Sequence, residues 1–176
     1  MEIRNATEND IEAIADIYRS YIRTSIATLE EHEPSTDAIC KEFSKVFTSG
    51  APFIAATEPG TGKFCGYAYT GPFNDRSGYK FTCEDSIYLR PDYCGQGLGK
   101  QLLRELLQRV KATSDTTQVI AKMSIDPEQA VEDSPSCRLH MAFGFRPVGR
   151  LPKVGYKFGK WVDVVILQAD IENIQT

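Results

Sequence analysis

The sequence predicts an α/β fold with a mixed central sheet flanked by about four helices. Three observations predict it. Apolar residues alternate between the strand period of two and the helical period of 3.6 along the chain. A glycine cluster, Cys94-Gly95-Gln96-Gly97-Leu98-Gly99-Lys100, separates a strand pattern from a helix pattern. The segment from Ser134-Pro135 to Gly144 carries helix-start and helix-stop residues at its two ends.

Ile3 to Ala6 reads as a first strand. Thr7-Glu8-Asn9-Asp10 resembles a capping box, and Ile11, Ile14, Ala15, Tyr18 and Ile22 follow it at helical spacing. A second helix opens after Pro34-Ser35, with Ile39, Phe43, Val46 and Phe47 on one face. Phe53 to Thr57 and Phe64 to Thr70, joined through Pro59-Gly60-Thr61-Gly62, read as a β-hairpin, and a further strand runs from Phe81 to Leu89. Beyond the glycine cluster, Leu102, Leu103, Leu106, Leu107 and Val110 form a helical stripe. Val119 to Ser124 is a strand, the Ser134 helix follows, and strands near Phe145 to Leu151 and Trp161 to Ala169 end the pattern. The order is β, α, α, β, β, β, α, β, α, β, β. No repeat, low-complexity tract or long linker divides the chain, so residues 1–176 are expected to form a single domain.

Composition narrows the function classes. With 176 residues, 41% hydrophobic and 25% charged, the chain has the make-up of a globular domain rather than a disordered or fibrous one. No apolar run approaches the roughly 18 residues of a bilayer span, and Met1-Glu2-Ile3-Arg4 opens no signal region, so a cytoplasmic protein without a membrane partner is expected. The net charge of −4 argues against nucleic acid as a partner, and any anionic ligand needs a local site. Five cysteines without a Cys-x-x-Cys pair, and two histidines, make neither a metal set nor a disulfide framework. Reduced thiols in or near the core are expected instead.

Alternate glycines feeding a helix N-terminus let a backbone approach an anion closely and aim N–H groups at it. The Walker spacing would need Gly at 94 and Ser or Thr at 101, where Cys94 and Gln101 stand. A dinucleotide fingerprint from Gly95 would need Gly at 100, where Lys100 stands.

Pro91 to Lys100 resembles the pyrophosphate-binding motif of the GNAT superfamily of N-acetyltransferases, Arg/Gln-x-x-Gly-x-Gly/Ala, with Cys94 at its first position. Within that superfamily the chain resembles the phosphinothricin N-acetyltransferases and their methionine sulfoximine-acetylating relatives. The blocks that carry this are Tyr21-Ile22-Arg23-Thr24-Ser25 with Leu29-Glu30, Gly71-Pro72-Phe73 with Arg76, Tyr79 and Thr82-Cys83-Glu84, Ser136 to Phe145, and Gly155 to Val164. Asp133 stands where the family usually has an Asn, and the loop Ile125 to Asp133 is longer and more acidic than in bacterial relatives.

The resemblance implies acetyl transfer from acetyl-CoA, with no metal, to the amine of a small amino-acid-like molecule. The alternatives are a polyamine, a protein N-terminus or another xenobiotic amine, or a CoA-binding module without turnover. Gly95, Gln96, Gly97, Leu98, Gly99 and Lys100 would cradle the pyrophosphate, and Ile87, Tyr88 and Leu89 would pair with the pantetheine arm, the Leu89 N–H facing the thioester oxygen. Asp133 and Ser136 would add cofactor contacts. Strand alternation puts Glu84, Ser86 and Tyr88 on one side and Asp85, Ile87 and Leu89 on the other, and Glu84 is the preferred general base. His140, where many superfamily members carry a Tyr proton donor, is the candidate acid. Arg76 is the first choice for an anionic acceptor group, with Lys157 a weaker one and Thr24, Ser25 and Glu30 as polar contacts. Tyr156 and Trp161 suit packing or a homodimer contact.

Overall fold

The computed structural model describes residues 1–174. Its principal elements are β1 (Glu2–Asn5), α1 (Ile11–Thr24), α2 (Thr36–Ser49), β2 (Phe53–Thr57), β3 (Phe64–Pro72), β4 (Thr82–Leu89), α3 (Leu98–Thr113), β5 (Gln118–Ile125), α4 (Pro135–Met141), β6 (Arg146–Lys157) and β7 (Lys160–Asp170). This is the order expected from the patterning, with short 3-10 turns added between elements. No helix among the described residues is long and apolar enough to cross a membrane.

The helix starts follow the local chemistry. Asp10 accepts from the backbone N–H and hydroxyl of Thr7 and is gripped by both Arg4 guanidinium nitrogens at 2.7 Å. Ser35 and Ser134 cap α2 and α4 by accepting from Ala38 N–H and Cys137 N–H, and Pro135 takes the first position of α4, where its missing N–H costs nothing.

The seven strands form one sheet in the order β1-β2-β3-β4-β5-β7-β6, and the contact between β4 and β5 is parallel while the others are antiparallel. Helices α1 and α2 cover one face through Ile14, Ile17, Ile39 and Phe43, which pack on Phe53 and Tyr67. Helices α3 and α4 cover the other through Leu103, Leu107 and Cys137, which with Phe143 just past α4 pack on Val119, Val165 and Leu167. Cys65, Cys83 and Cys137 are buried, Cys40 is half-buried and Cys94 is exposed; all are free thiols. Burial pushes the Cys83 thiol up to about 12 and raises that of Cys137, which leaves neither suited to act as a nucleophile.

Strand β6 is longer than its patterning suggests. Pro152, Lys153 and Val154 bulge out between Leu151 and Gly155, and Lys153 takes φ 52° while its N–H donates to Asp163. That bulge breaks the period-two pattern at Leu151 and hides the strand's second half.

The parallel β4–β5 pairing lasts only from Thr82↔Gln118 to Glu84↔Ile120. Each strand then follows its antiparallel neighbour, β4 staying on β3 to Leu89 and β5 staying on β7 to Ile125. A split therefore opens in mid-sheet immediately after Glu84.

Candidate active site

The split is a cleft of about 400 Å³ lined by Glu84 to Tyr88 of β4, Ala121 to Ser124 of β5, Ser136 and His140 of α4, Val164, and Ala27 to Leu29 from the loop after α1. Arg90 N–H donates to the Cys65 carbonyl, so by antiparallel alternation the N–H groups of Leu89 and Ile87 point away from β3 and toward the split. The Leu89 N–H donates to the Tyr21 hydroxyl at 3.4 Å. The Leu89 N–H, expected to face the thioester oxygen, is thus turned toward the split with the Tyr21 hydroxyl beside it, and Ile87 offers a second donor closer to Glu84. Tyr88 lines the split too, but its ring turns away from it. Its ring meets Tyr18 and Tyr21 edge-on and stacks on Tyr67 at 5.3 Å, in the α1 core.

Beyond the C-terminal end of β4 lies the glycine turn. Gly95 and Gly97 adopt φ 73° and 83°, left-handed values that only glycine takes without strain. Gly97 is the N-cap of α3, so the N–H groups of Leu98, Gly99 and Lys100 have no carbonyl one turn earlier to bond. The Leu98 side chain is core, leaving its backbone alone for a ligand. Gly99 serves packing as well: a Cβ there would stand 3.3 Å from Leu139 of α4. The Gln96 amide closes the turn by donating to the Asp92 carbonyl.

Glu84 and Asp85 diverge as alternation requires. Glu84 faces the α1–α2 side, where its Oε2 accepts from Lys122 Nζ at 2.7 Å. Asp85 faces α4 and is buried; its Oδ2 lies 2.9 Å from His140 Nε2, while His140 Nδ1 lies 2.8 Å from the Ser136 carbonyl. Both imidazole nitrogens thus face oxygen acceptors, which suits the doubly protonated ring. Burial alone would lower the His140 pKa, but the charge and hydrogen bond of Asp85 and the Ser136 carbonyl outweigh it and hold it above the usual value. His140, the expected acid or thiolate stabiliser, thus lines the cleft with its ring edge while both ring nitrogens are hydrogen-bonded to protein oxygens.

The expected acceptor contacts are redistributed too. Lys157 is buried, and its Nζ donates to the carbonyls of Ser25 and Thr28 at 2.9 and 2.6 Å; burial lowers its pKa. Ser25 Oγ accepts from Ala27 N–H, the Glu30 carboxylate accepts from the N–H groups of Glu31 and His32, and Thr24 bonds back to the Ser20 carbonyl. These four residues build the loop, and it is Ala27, Thr28 and Leu29 that line the cleft. Arg76 is exposed in the turn after β3 and does not line the cleft. Ser136 lines it, whereas Asp133 is exposed and its carbonyl is taken by Arg138. Sequence reasoning missed Lys122, whose signal was a lone cation in the apolar run Val119-Ile120-Ala121-Lys122-Met123.

The family model for the acetyltransferase (GNAT) family matches residues 11–145. The chain belongs to the GNAT acetyltransferase family. It is 38% identical over 166 residues to the phosphinothricin N-acetyltransferase of Alcaligenes faecalis, covering 94% of this chain and 80% of that protein. It is 31% identical to the L-methionine sulfoximine/L-methionine sulfone acetyltransferase of Pseudomonas aeruginosa, covering 97% and 94%. The solved structure of a GNAT phosphinothricin acetyltransferase from Sinorhizobium meliloti in complex with acetyl-CoA superposes with a TM-score of 0.88 at 36% identity, covering 96% of this chain and 87% of that one. The mixed seven-strand sheet with four helices is the GNAT fold.

Proposed function

We propose that this GNAT acetyltransferase moves the acetyl group of acetyl-CoA to the amine of a small amino-acid-like acceptor of the phosphinothricin or methionine sulfoximine type, with Glu84 as general base. One observation carries the reading. Strand β4 carries the half-open carboxylate of Glu84 on the cleft wall and ends at Leu89, against which Gly99 of the α3 N-terminus, with its free N–H groups, is packed.

The residues present fit the cosubstrate. Leu98, Gly99 and Lys100 N–H at a positive helix end suit a pyrophosphate, and Gly95 and Gly97 leave open space beside it. The Ile87 edge suits an amide-bearing arm laid along β4 like an added strand, and Ser136 closes the opposite wall. Acetyl-CoA supplies the activated acetyl group as a thioester. Glu84 takes the proton from the acceptor ammonium through Oε1, since Lys122 occupies Oε2. With His140 committed to Asp85, the proton needed by the departing thiolate comes from solvent at the open cleft mouth.

A second reading, a polyamine acceptor, is favoured by one observation: a cavity on the far side of Glu84 is lined by Glu42 and Asp75 as well. A thiol-release assay with acetyl-CoA and a panel of phosphinothricin, methionine sulfoximine, spermidine and an N-terminal peptide separates the two. Release with the first two and little with spermidine is expected; the reverse order moves the acceptor class, and no release despite acetyl-CoA binding overturns the transferase reading.

A further inference from the structure

The cleft holds two charged pairs of opposite character. Asp85 and His140 are sealed, with side chains 1% and 4% exposed, whereas Glu84 and Lys122 keep 28% and 41% of theirs open. Glu84 ends the paired stretch of β4, and Lys122 stands two residues beyond its partner Ile120 on β5, so the two reach across the mouth of the split. Lys122 is the one ammonium or guanidinium group lining the cleft among the described residues, because Lys157 is spent on the loop carbonyls and Arg76 lies outside. Its nearest aromatic neighbour, Phe73, is 5.8 Å away at the ring centroid.

An ammonium has three donors and a carboxylate two acceptor oxygens. The single bond at 2.7 Å between Lys122 Nζ and Glu84 Oε2 leaves donors on one side and Oε1 on the other, on two partly exposed side chains that both line the cleft. A ligand that satisfies both must carry an ammonium and a carboxylate side by side. In an α-amino acid these groups share one carbon, which puts the nitrogen roughly 2.5 Å from the carboxyl carbon, a spacing matched to a contact ion pair. Its ammonium would meet Glu84 while its carboxylate met Lys122, each charge facing its opposite.

We infer that Lys122 is the specificity-determining residue for the acceptor, binding the carboxylate of an α-amino acid whose amine is presented to Glu84. This rests on the acceptor class proposed above and sharpens it: the amine must have a carboxylate on the adjacent carbon. Lys122 also works against polyamines, because it places a fixed positive charge beside the amine position.

Steady-state kinetics on the full-length enzyme test this with two acceptors, L-methionine sulfoximine and the amine that lacks only its carboxylate. Wild type should prefer the amino acid. Lys122→Met should lower kcat/KM for the amino acid about 10- to 100-fold more than for the carboxylate-free amine, the usual worth of a hydrogen bond to a charged group, any loss common to both acceptors being that of the Glu84 pair, and should leave the KM for acetyl-CoA nearly unchanged. Lys122→Arg should restore much of the preference. Equal loss with both acceptors, or a preference that survives Lys122→Met, overturns the role of Lys122 alone. A wild type that prefers the carboxylate-free amine overturns the acceptor class itself. Thermal melts of the variants guard against misfolding, and Lys122→Gln, which removes the charge but keeps a polar side chain, gives the same test if Lys122→Met unfolds.

Discussion

A protonated amine cannot attack a thioester until it sheds a proton, and the proposal that Glu84 receives it has a direct test. Glu84→Gln is expected to lower kcat by roughly 10²- to 10⁴-fold near neutral pH, with partial recovery at high pH where free amine is abundant. Near-normal turnover with an unchanged pH profile would remove Glu84 from the role. His140 calls for a different measurement. Its folded pKa is raised above the unfolded value of about 6.5, so its pair with Asp85 contributes full stability below that pH and loses it as pH rises through the raised folded value. Asp85→Asn should therefore lower Tm most near pH 6, by an amount corresponding to about 3 kcal/mol, and progressively less in alkaline buffer. A pH-independent difference would mean that the two groups do not exchange charge. That Glu84 and Asp85 face opposite sides of β4 was legible in the chain from strand alternation. The Asp85–His140 pair was not, since 55 residues separate two groups that only α4 docking brings together.

Two elements control what enters the cleft. The turn into α3 depends on φ 83° at Gly97, which a β-branched residue cannot adopt without strain of about 1–3 kcal/mol. In wild type, acetyl-CoA at a hundredfold excess over Kd should add about 2.7 kcal/mol of apparent stability, with NAD and ATP adding much less. Gly97→Val should abolish most of that increment, measured as Tm with and without ligand against the variant's own baseline. The loop after α1 depends on Lys157, whose ammonium ties two carbonyls 129 and 132 residues away in sequence. Lys157→Met should cost about 1–3 kcal/mol for each carbonyl left unpaired, and it should raise the acceptor KM while sparing that for acetyl-CoA. Equal changes in both would place Lys157 in the general scaffold.

The β6–β7 hairpin presents Val148, Leu151, Val154, Tyr156, Phe158 and Trp161 to solvent, each at least 44% exposed. Tyr156 and Trp161 meet edge to face, 5.1 Å between ring centroids. A concentration of large apolar groups of this kind marks a protein contact, and a homodimer is the reading we propose for it. Sedimentation velocity should show a dimer for wild type and a monomer for a Tyr156→Glu, Trp161→Glu double variant with Tm little changed; a monomeric wild type overturns it.

The chain's own patterning was enough for the element order, the helix caps at Ser35 and Ser134, the glycine turn and the face of β4 that Glu84 takes, because each depends on residues a few positions apart: a period, a capping hydroxyl, a missing Cβ. Long-range contacts lay beyond it. The split exists because β4 and β5 obey different neighbours after Glu84. Docking of α4 turns His140 toward Asp85, and burial converts Lys157 from an acceptor ligand into a loop anchor. Only pairing across the sheet puts Lys122 against Glu84. Local steric and hydrogen-bonding preferences act along the backbone and can be read from sequence, whereas the partner of a charge is chosen by the packing that brings distant strands and helices together.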